Sequence, residues 1–194
     1  MRFHFAGKFD GSPESLPAQR QVEGAVMFKE PAPEKLGLIA NALSFVVIGV
    51  LVGVAYLRCG SFDFVNTLGI IASVLILVPH EFLHALCFKE DVYMYTYLQQ
   101  GMLFVIGDED MSKTRFAFMS LLPNIVFGFI PFLVFLIYPS AAFFASLGIL
   151  AIGGGTGDYI NVINALTQVP KGAKIYMYRM NSFWYLPDAV KEQA

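Results

Sequence analysis

From Phe116 to Gly157 the chain carries no charged side chain. That is about 42 residues, twice the roughly 20 a helix needs to cross the hydrocarbon core of a bilayer. Tyr138-Pro139-Ser140 interrupts the run with residue types that suit a tight turn. Two apolar helices are therefore predicted, near 116–138 and 140–169. A second uncharged segment, "LGLIANALSFVVIGVLVGVAYL", fills the roughly 22 positions between Lys35 and Arg58 and predicts another span. A further span is predicted from about Phe64 to Phe88. With 56% hydrophobic and 14% charged residues, the chain is too apolar for an ordinary soluble domain. It has no basic run suited to nucleic acid.

These runs predict an all-α membrane protein with four transmembrane helices. A polar tail over 1–35, a four-helix membrane domain over 36–169 and a second tail over 170–194 complete the expected layout. The N-terminal residues hold charges and prolines but no apolar signal-peptide core, so the first span is expected to remain. Lysine and arginine set the orientation. Arg2, Lys8, Arg20, Lys29 and Lys35 precede the first span. Lys89, Lys113 and Arg115 lie between the second and third, and Lys171, Lys174, Arg179 and Lys191 follow the fourth. Only Arg58 lies on the other side. Both termini are thus expected in the cytoplasm, with the bilayer as a partner.

Inside the second apolar run stands "HEFLH", His80 to His84. Two histidines four residues apart share one face of a helix and can ligate one zinc ion. Glu81, between them, is then placed to take a proton from a water activated by the metal. The plainer reading is a pair of hydrogen-bonded core histidines with Glu81 reaching the interface. Against it, the chain has 3 histidines and two are here, in a run where each ionisable group needs a partner.

A catalytic zinc takes three protein ligands. His4 lies in the N-terminal tail, and Glu90, Asp91, Asp108, Glu109 and Asp110 lie in the loop after the motif. The one acid deep in another span is Asp158, in "AIGGGTGDYINVINAL". At 1.5 Å per residue, His84 and His80 lie about 6 and 12 Å from the cytoplasmic end of their helix, and Asp158 about 16 Å from the end of its own. The levels agree, and Asp158 is predicted as third ligand. The simpler alternative is an aspartate paired with Asn124 or Asn161. Gly153, Gly154, Gly155 and Gly157 allow close helix approach, or a local break, where that carboxylate must arrive. In the third helix Pro123 is expected to kink the helix and free a carbonyl. Asn124, at the motif's level, is an expected oxyanion donor or else an interhelical hydrogen-bonding group. Asn161 shares the face of Asp158 and is a candidate to orient it. Cys87 continues the stripe of His80 and His84 and is read as a small buried hydrophobe rather than a fourth donor.

After the motif, "DVYMYTYLQQGMLFVIG" alternates, with Tyr93, Tyr95 and Tyr97 on one face and Val92, Met94 and Thr96 on the other. A β-hairpin turning at Gln99-Gln100-Gly101 is predicted in the cytoplasmic loop between helices 2 and 3. Its free edge could take an extended peptide as an added strand. The ends "RFHFAGKF" and "AKIYMYRMNSFWYLP" also lean towards strand.

"HEFLH", "LPN" at Leu122 to Asn124, Gly157-Asp158, "FKEP" at Phe28 and "NSFWYLP" at Asn181 together resemble the putative-zincin family of small bacterial membrane metallopeptidases. The short motifs are more distantly similar to site-2 proteases, which cleave within membranes. The resemblance implies one zinc per chain on His80, His84 and Asp158, with Glu81 as base. It also implies a membrane or membrane-proximal protein segment as substrate. The site-2 class usually carries Asp-Gly after Asn-Pro, whereas here Gly157 precedes Asp158. The rival expectation is a non-catalytic metal-binding membrane protein that captures or senses partner helices.

Overall fold

The run after Lys35 folds as one unbroken helix, α1 (Pro33–Cys59, 27 residues). Proline suits its first turn, and Gly60, at φ +72°, ends it with an N–H to the Tyr56 carbonyl. This computed structural model describes residues 1–17, 20–97 and 101–187. The second run is broken. Helix α2 (Thr67–Leu75) is capped by the Asn66 side chain, and α3 (Leu77–Leu86) departs from it at 44°. Pro79 explains the break. It has no N–H for the Leu75 carbonyl four residues back, and its ring crowds that carbonyl.

The long uncharged run gives a continuous helical stretch, Lys113–Ile137. It consists of α4 (Lys113–Asn124), a π-helical turn (Ile125–Phe129) and α5 (Ile130–Ile137). Beyond the Tyr138–Ser140 turn come α6 (Ala142–Gly154) and α7 (Thr156–Gln168), bent by 48° at Gly155. Lys35–Cys59 and Lys113–Ile137 are long and apolar enough to cross a membrane. The bent pairs qualify only as pairs, so by length and composition the described residues hold two candidate spans, or up to four.

The all-α fold class, with four transmembrane helices, is overturned by two β-sheets. Strands β1 (Arg2–Lys8), β3 (Asp91–Tyr97) and β4 (Met102–Gly107) form one, in the order β1-β3-β4. Strands β2 (Val26–Met27), β5 (Met111–Ser112), β6 (Lys174–Tyr178) and β7 (Asn181–Tyr185) form the other, in the order β2-β7-β6-β5. The N- and C-terminal ends lean towards strand in sequence, and both join sheets. Pairing satisfies their backbone groups; in β6 Ile175 and Tyr176 are buried, whereas β1 stays largely exposed. The β3–β4 hairpin follows the alternation, with Tyr97 opposite Met102 and Gly101 at φ +63°. Gln99 and Gln100 of its expected turn lie outside the described residues. Strand β1 occupies the outer edge of β3 in parallel, with Phe3 opposite Val92.

The chain divides into two compact units. The first comprises Met1–Lys29, Glu81–Met119 and Asn161–Ala194. Its main core packs Phe28, Ala85, Phe88, Val92, Met94 and Phe116 together. On the other face of β3, Tyr95 packs with Phe9, Leu16, Phe104 and Ile106. The second unit comprises Glu30–His80 and Ser120–Ile160. Its core joins Ala55, Phe64, Phe132, Phe135, Ala145 and Ile149. Small residues let its helices meet. A Cβ at Gly69 would lie 2.4 Å from the Phe143 carbonyl oxygen, and one at Gly153 would lie 2.3 Å from Ile48.

Candidate metal centre

Helix α3 begins after the break at Ile76, so His80 sits on the second turn of a fresh helix. Its N–H bonds the Ile76 carbonyl at 2.7 Å. One turn later His84 is buried, and Glu81 lies between them in sequence. The ligating atoms of His80, Glu81 and His84 lie within 4.8 Å of one another, as the HExxH spacing requires.

His84 is oriented from α4. Its Nδ1 lies 2.9 Å from the Met119 carbonyl oxygen. A carbonyl only accepts, so Nδ1 carries the proton and Nε2 keeps its lone pair. This arrangement is common where the other imidazole nitrogen binds a metal.

In the second unit His80 Nε2 lies 3.2 Å from Asp158 Oδ2. Both side chains are mostly buried. Asp158 stands on the first turn of α7, just after the bend at Gly155. Asn124 Nδ2 donates to the same Oδ2 at 2.6 Å and to the Ser120 carbonyl at 3.3 Å. The Tyr159 hydroxyl lies 3.3 Å from Asn124 Oδ1 and 3.1 Å from the Ile152 carbonyl oxygen, two acceptors that share its one proton. Both Nδ2 protons of Asn124 are therefore committed. The interhelical role is the one its geometry serves; the oxyanion role would need one of those protons released. Tyr159 and the Met119 carbonyl were missed by the sequence reading. Tyr159 had one signal, a phenol next to the predicted ligand Asp158; a backbone carbonyl has none.

The donor types fit zinc, and among the described residues the group close enough to hold one ion is His80, Glu81 and His84, with Asp158 beside His80. Two imidazoles and a carboxylate are usual zinc ligands, and bonds of about 2.0–2.1 Å in a tetrahedron set ligand atoms about 3.3 Å apart. The His80–Asp158 separation of 3.2 Å matches that spacing. Several other candidate donors are engaged elsewhere. Asp91 bonds Arg2 at 2.7 Å and His4 at 3.0 Å, and His4 stacks on Tyr93. Asp110 bonds Arg20 and Tyr185. Glu109 pairs with Arg115 and accepts the Lys89 N–H at 2.6 Å. Burial pushes the Glu109 carboxyl up, but Arg115 and that N–H outweigh it and hold it below its ordinary value. Cys87 directs its thiol to the Leu83 carbonyl at 3.5 Å.

Of the four glycines, Gly155 is the one that touches this cluster. A Cβ there would stand 1.6 Å from Asn124 Oδ1. Gly155→Ala is expected to push Asn124 off Asp158 and to destabilise the fold by about 1–3 kcal/mol. Thermal unfolding beside wild type checks this. At Gly154 and Gly157 an added Cβ meets open space.

Comparison with known proteins agrees with this geometry. The model of the family described as "Putative zincin peptidase" matches residues 73–174. That stretch begins just before the motif and ends in β6. A search of curated proteins and a search of solved structures each gave no match. The match covers more than half of the chain, from the paired histidines of α3 past Asp158, and the chain belongs to the putative zincin peptidase family.

Proposed function

We propose that this chain is a zinc-dependent endopeptidase embedded in a bacterial cell membrane. On this reading it cleaves membrane or membrane-proximal protein segments near the cytoplasmic face, as the more distantly similar site-2 proteases do. The observation that carries the reading is the HExxH helix with His80 against Asp158. His80, His84 and Asp158 would hold one zinc. Bound there, zinc supplies a Lewis acid that acidifies water and polarises the scissile carbonyl. Glu81 takes a proton from the attacking water and passes it to the leaving amine. Asn124 fixes Oδ2 of Asp158, and Met119 fixes the His84 ring.

Membrane embedding is supported by α1, where Leu57 is 84% and Phe45 76% exposed. Apolar side chains that open on a 27-residue helix call for lipid. The basic residues either side of the spans support cytoplasmic termini.

The purified full chain in lipid vesicles tests the reading. It is offered extended peptides in solution and a transmembrane peptide in the bilayer, with products read by mass spectrometry. Cleavage is expected to vanish with a zinc chelator and return with added zinc. Cleavage that survives complete zinc removal would refute a zinc enzyme.

A further inference from the structure

The fold leaves one acceptor on α4 without its helical donor, and the candidate metal helix uses it. In a regular helix the Met119 carbonyl would accept the N–H of residue 123. Residue 123 is a proline, inside α4 and fully buried, and has no N–H. The acceptor left over is the one that takes the proton of His84 Nδ1, at 2.9 Å. Apolar surroundings make such a vacancy expensive unless a neighbouring group fills it.

A second contact brings the two helices together at this point. One turn before Met119, Arg115 donates through Nε to the Cys87 carbonyl at 3.1 Å, and through Nη2 to the same oxygen. Cys87 follows the last residue of α3, so Arg115 caps the end of the helix that carries His84. Glu109 holds Arg115 from the other side.

We propose that Pro123 is a positioning residue of the metal centre: by removing one backbone N–H it reserves the Met119 carbonyl for His84. The imidazole thereby donates through Nδ1, and Nε2 is the nitrogen that would meet a metal. The inference rests on the zinc reading given above. It differs from a packing role in the sign of one effect. A proline inside a helix is destabilising, by about 3 kcal/mol relative to alanine. Pro123→Ala restores a helical hydrogen bond and re-aims the Met119 carbonyl along the axis. A residue that merely packs would lose stability on truncation and leave the metal alone.

The test uses the full chain in detergent, with Zn2+ for affinity and Co2+ as a spectroscopic probe of ligand geometry. Pro123→Ala is expected to unfold no earlier than wild type, to bind zinc about 10-fold more weakly, and to shift the cobalt absorption bands. Zinc affinity within about 2-fold of wild type, with unchanged cobalt bands, overturns the inference. If Pro123→Ala does not fold, His84→Nδ1-methylhistidine carries the test. It keeps Nε2 but cannot donate to Met119, and the same loss and band shift are expected, with wild-type values again overturning the inference. A wild-type chain that binds neither metal refutes the zinc reading itself. A wild type that binds both, beside variants that bind equally well, refutes only the role of Pro123.

Discussion

Glu81→Gln is expected to keep its zinc and to lose cleavage by at least about 100-fold, the lower bound for removing a positioned general base. Glutamine matches glutamate in size and hydrogen-bonding reach, so α3 and its histidines should be undisturbed. What it lacks is a basic oxygen to take the proton. Zinc content, measured on the same sample as product formation, keeps the two effects apart. If the variant holds zinc and cleaves at the wild-type rate, Glu81 is not the base and the mechanism is wrong. If wild type binds zinc yet cleaves no probe peptide, a metal-binding protein that senses or captures helices fits better.

The second large effect is expected at Asp158. Removing a group that only supports a ligand typically weakens metal binding by 10–100-fold, so removing a ligand should exceed roughly 100-fold. Asp158→Ala also strips His80 and Asn124 of their partner. Leaving such a buried group unsatisfied costs about 1–3 kcal/mol. Asp158→Asn separates the two effects. It keeps the shape and one acceptor oxygen for Asn124, so it should unfold near wild type while still losing zinc. Isothermal titration of the zinc-stripped chain measures both variants. Full zinc affinity in Asp158→Asn would remove Asp158 from the ligand set.

Much of this site could be read in advance because its parts obey helical arithmetic. HExxH fixes its own geometry, and counting rise per residue brought Asp158 to the level of His80 from 78 positions away. Pro123 announced a freed carbonyl, although not which side chain would take it. The failures have equally local causes. Pro79 lies four residues after Leu75 and forbids the continuous second helix, but the apolar run around it hid the break. The β3–β4 hairpin was legible from its alternation. The parallel pairing of β1 with β3 was not, because it joins Arg2 to Asp91 with no turn chemistry between them. The strand lean of the two ends was legible too, although not which strands they would join. The pairing of Arg115 with a backbone oxygen leaves no pattern in a sequence at all.

The two broken helices divide their work. Before the breaks, α2 and α6 meet each other. Gly69 lies against the Phe143 backbone, and Ser146 accepts the Asn66 N–H at 2.8 Å while donating to the Phe64 carbonyl. After the breaks, α3 and α7 carry His80 and Asp158. A hydrophobic run that would otherwise be a single rigid rod thus has an anchoring half and a working half, joined by one or a few residues. Inheritance can then act on the two halves separately. Changes in α2 or α6 alter how firmly the frame is held, and changes past Ile76 or Gly155 alter the chemistry. On the proposed reading, a chain built this way could change how its frame is held without disturbing the residues that would meet the metal.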